Sequence, residues 1–248
     1  MTNETPAAKP IDFRAALPNK RPCAITSEAA CRICGGDDPT LGAPDGLCRN
    51  CRALERAKED WLRASGITPR HDRFRTWPDL HGPEPYMRAV ERVRKFLGVS
   101  GSIVALIGNC GTGKTQLACV AVRAAIAASR EARIVTCVAL LADLKGRYGG
   151  DGAADSEWLT NWARRWLLVI DEFGIRLDTD WARVMLPTLL DQRYATMRPT
   201  ILIGNVTREQ FVDTAGPSVV DRCNEDGGVI VCDWPSFRQA KVARDDGV

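Results

Sequence analysis

From about residue 86 to the end of the chain, short unbroken apolar runs alternate with stretches whose apolar positions recur at helical spacing. The runs SIVALIG, RIVTCVAL, WLLVID, TILIGN and GVIVCDW read as strands, and their lack of polar alternation marks strands buried on both faces. Between them, YMRAVERVRKFLG reads as a helix stopped by Gly98 and KTQLACVAVRAAIAAS as an Ala-rich helix. LLADLKGRY, SEWLTNWARR, REQFVDTA and SVVDRCN read as shorter helices, and DWARVMLPTLLDQRYATM as one that Pro187 is expected to kink. Strands alternating with helices in this way predict an α/β fold, a parallel sheet flanked by helices.

The first third of the chain has a different texture. Residues 1–22 are polar and Pro-rich and read as a disordered tail. Residues 23–62 hold a cysteine-containing loop and then the charged, helix-like run RALERAKEDWLRA. Residues 63–85, punctuated by Gly and Pro, read as a linker to a domain over 86–248. With 248 residues there is room for one such domain and a small appendage. A composition of 45% hydrophobic and 26% charged residues is that of an ordinary soluble globule, and a formal net charge of +3 neither demands nor excludes nucleic acid. There is no run of about 18 apolar residues to cross a membrane, and the N-terminus lacks the apolar core of a secretory signal. The expected compartment is the cytoplasm, where thiols stay reduced.

Gly108-Asn109-Cys110-Gly111-Thr112-Gly113-Lys114-Thr115 matches the phosphate-loop pattern GxxxxGK(S/T). It follows a buried strand and opens a helix, with Gln116 next in that helix. Glycines let backbone N–H groups converge on a phosphate, and the helix N-terminus adds its positive end. Lys114 is then expected to reach the β- and γ-phosphates and Thr115 to ligate Mg²⁺. Asp171 and Glu172 end the apolar run LLVID, at the edge of a parallel sheet where ligands bind. Asp171 is the second candidate for the Mg²⁺ shell, and Glu172 the candidate base that polarises a water. No NKxD-like guanine reader is visible, so ATP is the expected nucleotide.

WLLVIDEFG, RYATMRPTILIGN and VVDRCNEDGGVIVCDWPSFR together resemble the DnaC-type helicase-loader branch of the AAA+ ATPases, over about residues 65–240. SGITPRHDRFRTW resembles the segment that leads into that family's ATPase module. The resemblance implies an AAA+ P-loop ATPase. It places the first sensor at Asn205, an arginine finger acting on a neighbouring subunit at Arg222, and the second sensor at Arg238. A finger supplied in trans is worth about 10³–10⁵ in rate and requires ATP-dependent head-to-tail self-association. Read without the resemblance, Asn205 is a strand-ending turn residue, and Arg222 and Arg238 are helix-surface charges. Relatives often carry another arginine four residues before the finger, where this chain has Ser218. The 16 residues after Cys232 leave no room for a full C-terminal helical lid.

Cys31-x2-Cys34-x13-Cys48-x2-Cys51 offers four thiolates at a spacing that closes a tetrahedral zinc site. The loop between them is rich in Gly and Pro and has almost no apolar core, so a bound ion would supply its folding energy, about 10–16 kcal/mol in model fingers. An iron–sulfur cluster takes the same ligands, and four free thiols are the bland alternative. The other cysteines, Cys23, Cys110, Cys119, Cys137, Cys223 and Cys232, read as ordinary small residues. The DnaI-type loaders carry an N-terminal zinc-binding domain that docks on the replicative helicase. The resemblance therefore implies that this module grips a hexameric, DnaB-like helicase. Zinc knuckles also bind single strands, but Arg32, Arg49, Arg52 and Arg56 are nearly offset by Asp37, Asp38 and Asp45.

Three groups are candidates for contact with single-stranded DNA: Lys145, Arg147 and Tyr148; Arg70, Arg73 and Arg75 in the linker; and Trp158, Trp162 and Trp166. The tryptophans recur at i, i+4 and i+8, a stripe that more often packs in a core or an interface. The leading expectation is an ATP-dependent loader that places a replicative helicase on single-stranded DNA, from a bacterium, a phage or another mobile element. The competing expectations are an IstB-type transposition helper, which binds DNA and a transposase, and a nucleotide-switched binding module with negligible turnover.

Overall fold

The computed structural model describes residues 31–34, 46–98, 102–145, 153–174 and 180–238. The chain divides into two units, residues 1–57 and 58–248. In the first unit, Cys31, Leu47, Cys48 and Cys51 form a small buried cluster of their own. Helix α1 (Arg49–Arg63) begins in this unit and ends in the second. The expected tail over 1–22 lies outside the described residues.

The second unit is built on one sheet of five parallel strands. These are β1 (Ile103–Gly108), β2 (Ala132–Thr136), β3 (Leu167–Asp171), β4 (Thr200–Gly204) and β5 (Gly228–Cys232), in the order β2-β3-β4-β1-β5. The three middle strands are buried almost throughout, whereas the edge strands β2 and β5 alternate with partly exposed positions. Side chains alternate between the faces with period two. Val104, Leu106, Val169, Ile201 and Ile203 meet α2 (Glu84–Phe96) and α3 (Lys114–Ala127) on one face. Ile103, Ile107, Leu168, Ile170 and Leu202 meet α5 (Ala153–Ala163), α6 (Asp180–Ala195) and α7 (Arg208–Ala215) on the other. Pro187 lies inside α6, as the sequence indicates. A six-residue helix, α8 (Pro217–Arg222), and one π-turn lead into β5, and no helix follows β5 among the described residues.

The structure corrects three readings of the sequence. The run RIVTCVAL is a strand only as far as Thr136; α4 (Cys137–Lys145) takes the rest. Thr136 Oγ1 accepts from the Ala139 N–H at 3.2 Å and starts that helix. The segment expected as a linker over 63–85 is a packed strap. Ile67, Phe74, Trp77 and Leu80 lie against the α2/α3 face, and the Ser65 carbonyl accepts from the Ile134 N–H at 2.7 Å on the outer edge of β2. The tryptophan stripe is not one helical face. Trp158 and Trp162 are buried on α5, whereas Trp166 lies beyond its end and packs on the opposite side of the sheet. Trp162 is 2% exposed, with the Arg133 and Arg165 guanidiniums 4.7 and 4.5 Å from its ring, so it offers no open face to a base.

One buried residue ties these elements together. Arg193 of α6 has no exposed surface. Its guanidinium donates to the carbonyls of Trp162, Ala163, Arg165, Trp166 and Pro199 at 2.7–3.4 Å and to Thr200 Oγ1 at 2.9 Å. It thereby takes up the open C-terminal carbonyls of α5 and pins the leads into β3 and β4. Burial lowers its pKa, and the surrounding carbonyl dipoles serve in place of a carboxylate.

Candidate active site

The phosphate loop turns at the C-terminal end of β1 and feeds directly into α3, so the N–H groups of the first turn of α3 point into the loop. Gly113 caps that helix at φ +84°, a left-handed conformation that glycine adopts without strain. Gly111, at φ +81°, has a second reason to be glycine: a Cβ there would lie 2.0 Å from Ser236 Oγ. Lys114 is buried and folded back into the loop, donating to the Gly108 and Asn109 carbonyls at 2.9 and 2.6 Å and to Thr112 Oγ1 at 3.3 Å. Its pKa is lowered by burial, with Arg238 acting in the same direction and Asp171 against it. Cys110 is exposed at the loop's tip.

Thr115 Oγ1 donates to Asp171 Oδ2 at 2.8 Å, so the two residues expected to share a cation, one in the first turn of α3 and one at the end of β3, are already in contact. The other Asp171 oxygen accepts from the Glu172 N–H at 2.8 Å. Glu172 itself stands at φ +59°, a conformation rare for a residue with a Cβ. Strain of this kind persists where neighbours enforce it, and it gathers at functional sites. The Phe173 N–H donates to the Ile203 carbonyl at 2.7 Å and holds the turn. Asn205, exposed, follows the end of β4, the strand between β1 and β3. Asn205 therefore sits on the same sheet edge as the cradle and Asp171.

The far side of the cradle is made by the chain after β5. Trp234 Nε1 donates to the Thr112 carbonyl at 2.8 Å, and the Phe237 N–H to the Gly111 carbonyl at 2.9 Å. Tyr86 of α2 packs edge-on against both rings, at 5.7 and 5.0 Å. This turn carries Arg238 to the lip of the loop, its Cδ 3.6 Å from the place a Cβ on Gly111 would occupy. The strap contributes His71. Burial lowers its pKa, opposed by Asp171 and aided by Arg70 and Arg238.

Gln116 does not face the cradle with its side chain. The amide donates to the His71 and Phe74 carbonyls, both at 3.1 Å, so it anchors the strap to α3. Trp234, Tyr86, Phe237, His71 and Arg193 carried no assignment from the sequence. The signal for Trp234 and Phe237 was the aromatic run just beyond the last strand, for Tyr86 its apolar position in α2, and for His71 the aromatic residues within the supposed linker.

Arg222 is not in the cradle of its own chain. It lies at the end of α8, ion-paired to Asp191 of α6, with its guanidinium 4.7 Å over the Tyr194 ring. Ser218 is exposed one turn earlier in α8. Of the candidate DNA contacts, Arg75 is ion-paired to Asp72, Arg73 lies 5.3 Å over the Phe74 ring, and Arg70 is exposed. Arg147 and Tyr148 lie outside the described residues, as does the side chain of Lys145.

In the first unit, the Sγ atoms of Cys31, Cys34, Cys48 and Cys51 all lie within 4.8 Å of one another. Cys34 and Cys48 are 3.8 Å apart, the edge expected of a tetrahedron with zinc–sulfur bonds of about 2.3 Å. A multi-iron cluster spreads its cysteines over separate metal atoms and needs a wider cage, so the fit is to a single ion. Burial raises the Cys31 thiol, but backbone N–H groups of Cys48, Cys34 and Ile33 outweigh it and bring the thiol down to about 6. Cys51 is pushed up by burial and by its three sulfur neighbours. Asp37, Asp38, Asp45 and Cys23 lie outside the described residues.

A parallel sheet in this order, with a phosphate loop after β1 and an acidic pair at the end of β3, is the P-loop fold of the AAA+ type. Residues 89–230 match the family of IstB-like ATP binding proteins, and the chain belongs to that family. It is 25% identical over 203 residues to the replicative helicase loader DnaC of Escherichia coli K12, covering 80% of this chain and 82% of that protein. Among solved structures, a DnaC helicase loader superposes with a TM-score of 0.55 at 23% identity, over 66% of this chain and 99% of that one. The replication initiator DnaA bound to AMPPCP and single-stranded DNA superposes with a TM-score of 0.57 at 17% identity. The match covers 73% of this chain and 56% of the initiator. The chain thus has an IstB/DnaC-like ATP-binding core, and its cysteine cluster is compatible with zinc. No helix among the described residues is long and apolar enough to cross a membrane.

Proposed function

We propose that this protein hydrolyses ATP and uses the cycle to place a hexameric replicative helicase on single-stranded DNA. The observation that carries the loader reading is the 25% identity to a replicative helicase loader along four-fifths of the chain. Hydrolysis is supported by the contact of Thr115 with Asp171 and by the enforced conformation of Glu172 beside it.

Lys114 leaves the loop carbonyls for the β- and γ-phosphates, while the loop N–H groups hold the β-phosphate. Thr115 and Asp171 hold magnesium, which when bound neutralises charge on the phosphate oxygens. Glu172 polarises the attacking water, and Asn205 orients it. Arg238 sets its charge beside the γ-phosphate from within the chain. Arg222, held against α6 by Asp191 and Tyr194, serves the site of the next subunit. The zinc-holding first unit grips the helicase.

Two measurements test this. Purified protein should turn over ATP with magnesium, and negligible turnover would leave only a nucleotide switch. Capture of a DnaB-like hexamer should require Cys31, Cys34, Cys48 and Cys51. The rival reading is a transposition helper of the IstB type, consistent with the match to the family of IstB-like ATP binding proteins. Capture of a transposase with duplex DNA, and no capture of the helicase, would establish the rival instead.

A further inference from the structure

Arg222 is held by more than one neighbour. Its Nη1 is ion-paired to Asp191 Oδ1, and its plane lies 4.7 Å over Tyr194, one turn further along α6. The Tyr194 hydroxyl donates in turn to Glu225 Oε2 at 2.5 Å, in the π-turn just after Arg222. Ring and carboxylate come from α6, which the buried Arg193 fixes to the sheet from its other side. The guanidinium is therefore clamped on one face and one edge by residues standing on a rigid base.

We propose that Asp191 and Tyr194 are positioning residues for Arg222. They hold its guanidinium, on the protomer that donates it, in the geometry that meets the neighbouring triphosphate. The inference rests on the reading of Arg222 as a finger that acts in trans. A guanidinium has five N–H donors in a planar fork. One carboxylate oxygen takes one nitrogen, and the ring takes one face, so donors remain for phosphate oxygens. Asp191 is more than half exposed, so water screens its charge from an approaching phosphate. A long flexible side chain that is oriented beforehand loses less freedom when it engages.

The test uses full-length subunits mixed in pairs. One carries Lys114→Ala and cannot use its own cradle, but donates Arg222. The other carries Arg222→Ala and supplies an intact cradle. Hydrolysis by the mixture, absent from either variant alone, reports the finger acting in trans. Adding Asp191→Ala or Tyr194→Leu to the donor should lower the kcat of the mixture about tenfold, since a misplacement of about 1 Å is worth as much as a hundredfold. The KM for ATP belongs to the other subunit and should not move. Asp191→Asn, which keeps an acceptor, should restore part of the rate. Sedimentation and thermal melting of each donor identify one that fails to assemble or fold, and Asp191→Asn then carries the comparison alone. A parent pair without activity overturns the trans reading and the holder with it. A working parent pair whose rate is unchanged or raised by the Asp191 and Tyr194 substitutions overturns the holder alone.

Discussion

Trp234 donates its indole N–H to the Thr112 carbonyl at 2.8 Å, across 122 residues of sequence. The phosphate loop is thus braced from outside by the chain that leaves β5. Replacing Trp234 with Phe keeps most of the packing against Tyr86 and leaves that carbonyl unsatisfied, at a cost of about 1–3 kcal/mol. Much of this falls on the loop's geometry. ATP affinity should drop about five- to tenfold or more, at about 1.4 kcal/mol per tenfold. Titration with a fluorescent ATP analogue reads this directly, and an unchanged Kd would remove the brace from the account.

Glu172 is exposed, its N–H donates to Asp171 Oδ1, and its enforced backbone sets where the carboxylate points. Glu172→Gln should retain ATP binding and reduce turnover by about 10²–10⁴, the usual worth of a general base. The same variant should trap the ATP-bound assembly, which sedimentation with ATP would reveal. A variant that hydrolyses at the parent rate would assign the base elsewhere.

Gln116 and Asp79 hold the strap by different means. Gln116 reaches two strap carbonyls from α3, and Asp79 accepts from the Arg75 and Thr76 N–H groups at 2.9 and 2.8 Å. Those backbone donors lower the Asp79 pKa. A carboxylate with a depressed native pKa contributes stability in full above its unfolded value and loses it as pH falls through the native one. Gln116→Ala should raise amide exchange over residues 65–80 at neutral pH. Asp79→Asn should do so at neutral pH and remove the extra loosening that the parent shows on acidification below its ordinary carboxylate range.

How much of this was legible in the sequence depends on the distance over which each feature is encoded. The cradle occupies consecutive positions, so spacing alone singles out Lys114 and Thr115 as candidates, and the end of an apolar run two strands later singles out Asp171. The middle strands announced themselves as apolar runs without polar alternation. The start of α4 was hidden because Cys137–Leu140 continues the apolar run of β2, and only the Thr136 cap marks the change. The strap was mistaken for a linker because its Gly and Pro residues outweighed Phe74, Trp77 and Leu80, which bury their rings and side chains on α2 and α3. The Trp234 brace, the Arg193 hub and the Arg222 holder join residues far apart in sequence or on separate elements, and no local pattern encodes them.

Arg193 offers a stability test. Arg193→Met fills similar volume and removes the guanidinium donor from five carbonyls, of which Pro199 keeps the Leu168 N–H. Breaking such a buried polar network costs about 3–5 kcal/mol, which should lower the melting temperature by about 10 °C at about 2–4 °C per kcal/mol. Arg193→Lys should rescue little, because an ammonium cannot span carbonyls on both sides of a planar fork. Calorimetry of the three proteins checks both statements.

Removal of the metal should affect one unit and spare the other. The first unit's only described apolar cluster is Cys31, Leu47, Cys48 and Cys51, far too little to hold a fold unaided. The second unit has its own core on both faces of the sheet. A strong chelator should therefore release a single zinc per chain, expose the four thiols to a thiol reagent and abolish helicase capture, while ATP affinity and the main melting transition stay where they were. Protons compete with zinc for thiolates, so affinity falls as pH falls. Cys31, brought down to about 6, keeps its thiolate to mildly acid pH, whereas Cys51, pushed up, must give up a proton to bind at any pH near neutral. Zinc uptake should accordingly release protons at pH 7, measurable as a buffer-dependent enthalpy in titration calorimetry. Proton-free binding, or metal analysis that finds iron in place of zinc, would refute the site as assigned.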